Sequence, residues 1–199
     1  MTDAQNGDMA EAKDTTPPPS LKTLEILARY DVLITPAEIS GDFWPVFVEA
    51  VMMHPKPIML HCSGEGGSAF TLYQLIGLIR QHGRFIGVLH ADAASAHSIL
   101  FAACQTRYVS PLGSISVHRC VSSGGWQMGV KAAREAMLRY ERMDKLHAQI
   151  MADACHSLYD ADFWLKAFDD AEAGLKEFDA ECLIDMEMAR PIAEMPDDL

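Results

Sequence analysis

Little in this chain of 199 residues points to export, to a membrane or to a bound ion. Its five cysteines (Cys62, Cys104, Cys120, Cys155 and Cys182) are odd in number and include no Cys-x-x-Cys pair. Such thiols, several of them in apolar surroundings, are expected to be reduced and buried, which suits a cytoplasmic protein. The first residues are polar and acidic rather than basic and then apolar, so no secretory leader is expected. No apolar run approaches the ~20 residues that a membrane span requires. The net charge is −12, which argues against non-specific binding to nucleic acid or to anionic membranes. A Gly-Lys-Ser/Thr phosphate loop and a dinucleotide fingerprint are both missing. His61 next to Cys62 could contact a metal, but no spaced set of four ligands accompanies them, so neither metal nor cofactor is expected.

What remains is an ordinary globular composition, 49% hydrophobic and 22% charged, in a chain long enough for one substantial core. Residues 1–23 read as a disordered arm: they are polar and acidic, with three prolines at Pro17–Pro19. Residues 24–190 read as a single domain and 191–199 as an acidic tail. Strands are expected at Tyr30–Ile34, Ile58–Cys62, Phe85–Leu89, Arg107–Val109 and Ile115–His118. Thr35-Pro36-Ala37-Glu38 resembles a helix start leading into an apolar helix from Phe43 to Met53. Another helix runs from about Ala69 to His82, with Gly83 as its stop. Between the second strand and this helix lies a loop, Ser63-Gly64-Glu65-Gly66-Gly67-Ser68. The longest periodic stretch is a helix over about 130–155. Val130, Ala133, Met137, Tyr140, Met143, Leu146, Ile150 and Ala154 recur along it at helical spacing. That stripe is longer than one small core needs, so part of it is expected to meet another subunit. Strand and helix alternate throughout, which is the mark of an α/β fold.

The stretch that could carry chemistry is Ala93-Ala94-Ser95-Ala96, where the third strand turns into a helix. Small neighbours let a substrate backbone approach the Ser95 hydroxyl. The unpaired amides of a helix N-terminus can bind an oxyanion there. Serine is also a common N-cap, so a purely structural role stays open. His118 ends a strand on the face shared by Ser114 and Ser116, where it is either a general base or simply solvated. His97 lies two residues beyond Ser95, rotated about 200° away on the helix, and is a poor partner for it. The glycines of the Ser63–Ser68 loop could turn an amide toward a reacting carbonyl.

Taken together, these segments resemble the proteolytic subunit of the Clp protease, a serine peptidase family with a ClpP/crotonase-like fold of repeated β-β-α units and a protruding handle helix. Ala93-Ala94-Ser95 before an apolar helix resembles the family's Gln-Ala-Ala-Ser-Met-Gly segment. Ile115-Ser116-Val117-His118 resembles its strand ending in Ile-His-Gln-Pro. Tyr108-Val109-Ser110-Pro111 resembles the link between the two. Gly124, Gly125 and Gly129 resemble the glycine-rich strand before the handle, and Cys182-Leu183-Ile184-Asp185 resembles the closing Gly-Leu-Ile-Asp. The resemblance covers roughly residues 28–188 and implies a triad of Ser95, His118 and Asp170, the acid being set by counting back from Asp185. Asp169 is its immediate neighbour. It also implies an oxyanion hole from Ala96 with Gly64, Gly66 or Gly67, and peptide binding along Ser122, Ser123, Gly124 and Gly125. Implied partners are a polypeptide substrate, further copies of the chain in stacked heptameric rings, and an ATP-driven unfoldase of the AAA+ class. The sequence departs from the family at the Cys62–Gly67 loop, at Ala96 and His97, and in a longer segment between Ala154 and Asp170. A non-catalytic ring subunit and a crotonase-type acyl-CoA binder are therefore the rival readings.

Overall fold

A computed structural model describes residues 31–53, 57–121, 129–156, 158–171 and 174–196. The expected arm, and the peptide-binding positions Ser122, Ser123, Gly124 and Gly125, lie outside the described residues. The fold is mixed α/β with a mostly parallel central sheet. In chain order its elements are β1 (Asp31–Ile34), β2 (Glu38–Ile39), α1 (Phe43–Met53), β3 (Ile58–Gly64), β4 (Gly66–Gly67), α2 (Ala69–His82), β5 (Phe85–Ala94) and α3 (Ala96–Ala103). There follow β6 (Thr106–Val109), β7 (Ser114–Val117), α4 (Val130–Ala154), α5 (Ala161–Asp169), β8 (Lys176–Asp179), α6 (Ala180–Asp185), β9 (Arg190–Pro191) and a 3-10 turn at Ile192–Glu194.

The main sheet runs β1-β3-β5-β6-β9, all parallel. The long strand β5 is what organises it. Its first half, Ile86–Leu89, pairs with β6, and its second half, Asp92–Ala94, leaves β6 and pairs with β7. Side by side, β5 and β7 run out of the sheet at their carboxyl ends, which is where open α/β sheets build their sites. β8 closes the β7 edge in the antiparallel sense. Helices α2 and α3 bury Leu72, Leu75, Ile76, Ile79, Leu100 and Phe101 in one large core with Ile58, Leu60 and Leu89 of the sheet. A buried guanidinium ties the rear of this core together. Arg107 donates from Nε to Met188 O at 2.6 Å, from Nη2 to Ala154 O at 2.8 Å, and from Nη1 to Cys104 O.

Three expectations change here. Thr35–Glu38 is not a helix start. Thr35 Oγ1 instead donates toward the His61 and Ser63 carbonyls and accepts from Ser63 N, pinning the end of β3. Glu38–Ile39 then forms β2 against Gly66–Gly67, so the expected 63–68 loop is largely strand. The boundary at 190/191 falls inside β9, and Ile192 and Met195 pack onto Met59, Ile86, Val88 and Tyr108. Charge hid those two apolar contacts in a segment read as a tail.

Candidate active site

The chain leaves β5 at Ala94 and enters α3 at Ala96, and Ser95 is the one residue between them. Its backbone has φ 55 and ψ −118. A non-glycine residue held there costs on the order of 1–3 kcal/mol, so its surroundings must impose it. They do so through the backbone. Ser95 N–H donates to Ser116 O at 2.7 Å, and Ser95 O accepts from Ser98 N at 3.1 Å and from Ser98 Oγ at 2.6 Å. The Ser95 side chain makes no capping bond, so capping does not explain a serine at this strained turn. Half-buried, it lines a cavity of about 980 Å³ whose wall also carries Ala96, Gly67, His118, Cys120 and His147.

Of the four residues expected at the oxyanion hole, two, Ala96 and Gly67, line this cavity. Ala96 opens α3, and such a first helical amide has no intrahelical acceptor. Gly67 is exposed on the cavity wall. Gly66 is taken out of the set, because its N–H donates to His97 Nδ1 at 3.0 Å. It still matters sterically. With φ +119, a Cβ on Gly66 would lie 2.7 Å from Ser95 Cβ and 3.0 Å from Ser95 Oγ. Gly64 is backed against Ala37 O and the His97 ring.

His97 is therefore a brace rather than a base, as its helical rotation suggests. It is fully buried, and Nε2 meets Pro36 O at 2.9 Å while Nδ1 accepts from Gly66. This arrangement fixes the neutral Nε2–H tautomer. Burial lowers its pKa below the usual histidine value, partly offset by the Pro36 carbonyl.

Also lining the cavity, His118 follows β7, whose Ser116 is aligned with Ala94. Its Nδ1 lies 2.6 Å from Arg119 O. A proton on Nδ1 directed at that carbonyl leaves the lone pair on Nε2, the state in which imidazole acts as a base. Asp170 does not supply this orientation. It is exposed at the C-terminus of α5, and its carboxylate makes no hydrogen bond to His118. The adjacent Asp169 is the acid that is engaged, and its partner is Arg119, which donates from Nη2 at 2.7 Å and also from Nε. These bonds hold the Asp169 carboxyl below the usual carboxylate range. Arg119 Nη1 reaches on to Asp144 Oδ2 at 3.2 Å.

Beyond Arg119 lies a group that the sequence reading missed. Asp144 and His147 are buried on the inner face of α4, and Asp144 Oδ1 accepts from Cys120 N at 2.8 Å. His147 Nδ1 is 3.6 Å from Cys120 Sγ, and its Nε2 is 3.2 Å from Tyr73 Oη. Burial lowers the His147 pKa to about 4. Nearby His118 works in the same direction, and Asp144 works against it. Burial, then the Asp144 charge, pushes the Cys120 thiol up to about 12. The available signal was the i,i+3 pair Asp144/His147, but an apolar stripe read through Met143 and Leu146 is turned by one residue from the face that is buried.

The remaining histidine pair, His61 and His90, stacks at 5.2 Å between ring centroids on β3 and β5. Comparison of the chain with protein-family models and with curated proteins finds no match. Among the described residues, no helix is long and apolar enough to cross a membrane.

Proposed function

We propose that this chain is a serine peptidase of the Clp proteolytic-subunit type, cleaving polypeptides by acyl transfer to Ser95. The observation that carries the reading is the strained backbone of Ser95, with φ 55 and ψ −118 at a strand-to-helix turn that opens on a cavity shared with His118. Strain of this kind at a serine is the geometry of a nucleophile elbow. In the first step Ser95 Oγ bonds to the substrate carbonyl carbon while His118 Nε2 takes the hydroxyl proton. The amides of Ala96 and Gly67 donate to the oxyanion, each such donor being worth roughly 3–4 kcal/mol. Collapse breaks the peptide C–N bond, and His118 returns the proton to the leaving amine. Water then releases the acyl group by the reverse sequence. The Arg119 carbonyl takes the orienting part that a triad acid otherwise plays.

Assembly belongs to the same proposal. In the first half of α4, Val130, Met137 and Leu138 are exposed, whereas Ala148, Ile150 and Met151 of the second half are buried. Exposed apolar side chains on the first half of a long helix support stacking of rings of this chain through α4, with an ATP-driven unfoldase feeding the chamber. Met137→Glu with Leu138→Glu is expected to leave smaller oligomers on native mass spectrometry, and an unchanged mass would refute the stacking.

A second reading is favoured by one observation, that among the described residues no carboxylate is bonded to His118: a non-catalytic ring subunit of the same fold. A fluorophosphonate separates the two. The peptidase gives one adduct on Ser95 by mass spectrometry. A silent subunit, or a crotonase-type acyl-CoA binder, gives none.

A further inference from the structure

We propose that Cys120, Asp144 and His147 form a binding site for a borderline-soft divalent cation, Zn²⁺ above all, at the edge of the cavity that Ser95 lines. Their ligand atoms all lie within 4.8 Å of one another. They come from the segment just past β7 and from the inner face of α4, so only the fold brings them together. Sulfur and nitrogen bound to one tetrahedral zinc at 2.3 Å and 2.0–2.1 Å sit roughly 3.5 Å apart. Cys120 Sγ and His147 Nδ1 are already 3.6 Å apart.

The surroundings orient the three donors as the outer shell of a metal site does. Tyr73 Oη stands 3.2 Å from His147 Nε2, and with the ring proton on Nε2 the Nδ1 lone pair is left for the metal. Cys120 N–H donates to Asp144 Oδ1, and Arg119 donates to Oδ2, which fixes the carboxylate plane and leaves one lone pair on each oxygen. Arg119 does not make the pocket cationic, because the Asp169 carboxylate matches its charge. That leaves the Asp144 charge for the incoming ion. On binding, the Cys120 S–H bond breaks, sulfur bonds to the metal as thiolate, and the proton leaves to solvent. Three protein ligands of mixed S, N and O type suit Zn²⁺ rather than Mg²⁺ or Ca²⁺, and they leave a fourth position for water. Cys120 and His147 line the cavity that Ser95 lines, and Cys120 and Asp144 line a neighbouring one, so the site stands beside the space where a substrate would lie. The site stands apart from the peptidase reading, since binding needs neither Ser95 nor a substrate.

The experiment uses Co²⁺ alone as the probe, titrated into the reduced full-length protein and into its Ser95→Ala form. A thiolate-to-cobalt charge-transfer band saturating at one ion per chain is expected in both, and Zn²⁺ should bleach it. Cys120→Ser, a near-isosteric change, should abolish the band. His147→Gln should weaken cobalt binding at least about tenfold. Cys182→Ser, which alters an exposed cysteine elsewhere, should leave the band intact. Absence of the band from the unaltered protein, its survival in Cys120→Ser, or its loss in Cys182→Ser would overturn the site.

Discussion

The wall that carries Ser95 and the wall that carries His118 are held by different kinds of contact. Around Ser95, restraint comes from backbone and close packing: the β5–β7 ladder, the Ser98 bonds, the inflexible approach of Gly66, and His97 bridging Pro36 and β4 through neutral hydrogen bonds. Around His118, restraint comes from charge: Arg119 suspended between exposed Asp169 and buried Asp144, with one carbonyl on the imidazole. Neutral packing tolerates almost no side-chain change and responds little to salt. An ion-pair scaffold tolerates change at its exposed end and is screened. The difference predicts sharp losses on one wall and graded ones on the other.

The largest effect is expected from Ser95 itself. Ser95→Ala should lower peptide hydrolysis at least about 10⁴-fold and remove the fluorophosphonate adduct. Ser95→Gly should be equally inactive yet more stable, by about 1 kcal/mol, because glycine accepts a positive φ without strain. A chemical-denaturation midpoint that falls for Ser95→Gly would mean that the backbone there is not strained.

Next in size is Gly66→Ala. Its Cβ would have to share space with Ser95 Cβ at a φ of +119, at a cost of roughly 2–4 kcal/mol, and fluorophosphonate labelling should fall with stability. An alanine accepted without loss on both measures would show that the neutral wall is looser than its contacts imply.

On the charged wall, Asp169→Asn should lower activity by only about two- to tenfold, with added salt mimicking part of the loss. Asp170→Asn should change nothing measurable in the same peptide assay. A large loss at Asp170 and none at Asp169 would restore the triad that the family resemblance implies, and Arg119 would then be only a surface partner.

The smallest effect is a pH dependence on the neutral wall. The His97 pKa is lower in the folded protein than in the unfolded chain, so the unfolded state binds the extra proton first. Its stabilising contribution is complete above about pH 6.5 and is lost as pH falls toward the folded value. Melting temperature followed from pH 7 to 5 should drop less steeply in His97→Gln. Equal slopes would remove His97 as the acid-sensitive brace.

Local features were legible in the sequence for a physical reason. Strand hydrophobicity, the Gly83 stop of α2, the strand-to-helix turn at Ser95 and the periodicity of α4 are each written in residues close together in the chain. What the sequence hid depends on distant pairs. β2 exists only because Gly66–Gly67 offers it a partner, and the acid beside Arg119 depends on how α5 is rotated, which one residue of register reverses. Asp144 and His147 were obscured because a long amphipathic helix is read by its apolar stripe, and here the buried face is partly polar.

The buried guanidinium of Arg107 has a consequence for the order in which the chain takes shape. Its acceptors lie 3, 47 and 81 residues further along or behind it, at Cys104, Ala154 and Met188. During synthesis the strand carrying Arg107 emerges with only the nearest of these at hand. A cation cannot be sealed into an apolar interior while its other donors are unmatched. Final closure of the core therefore waits for nearly the whole polypeptide, and a nascent chain stopped before residue 188 stays open at this seam.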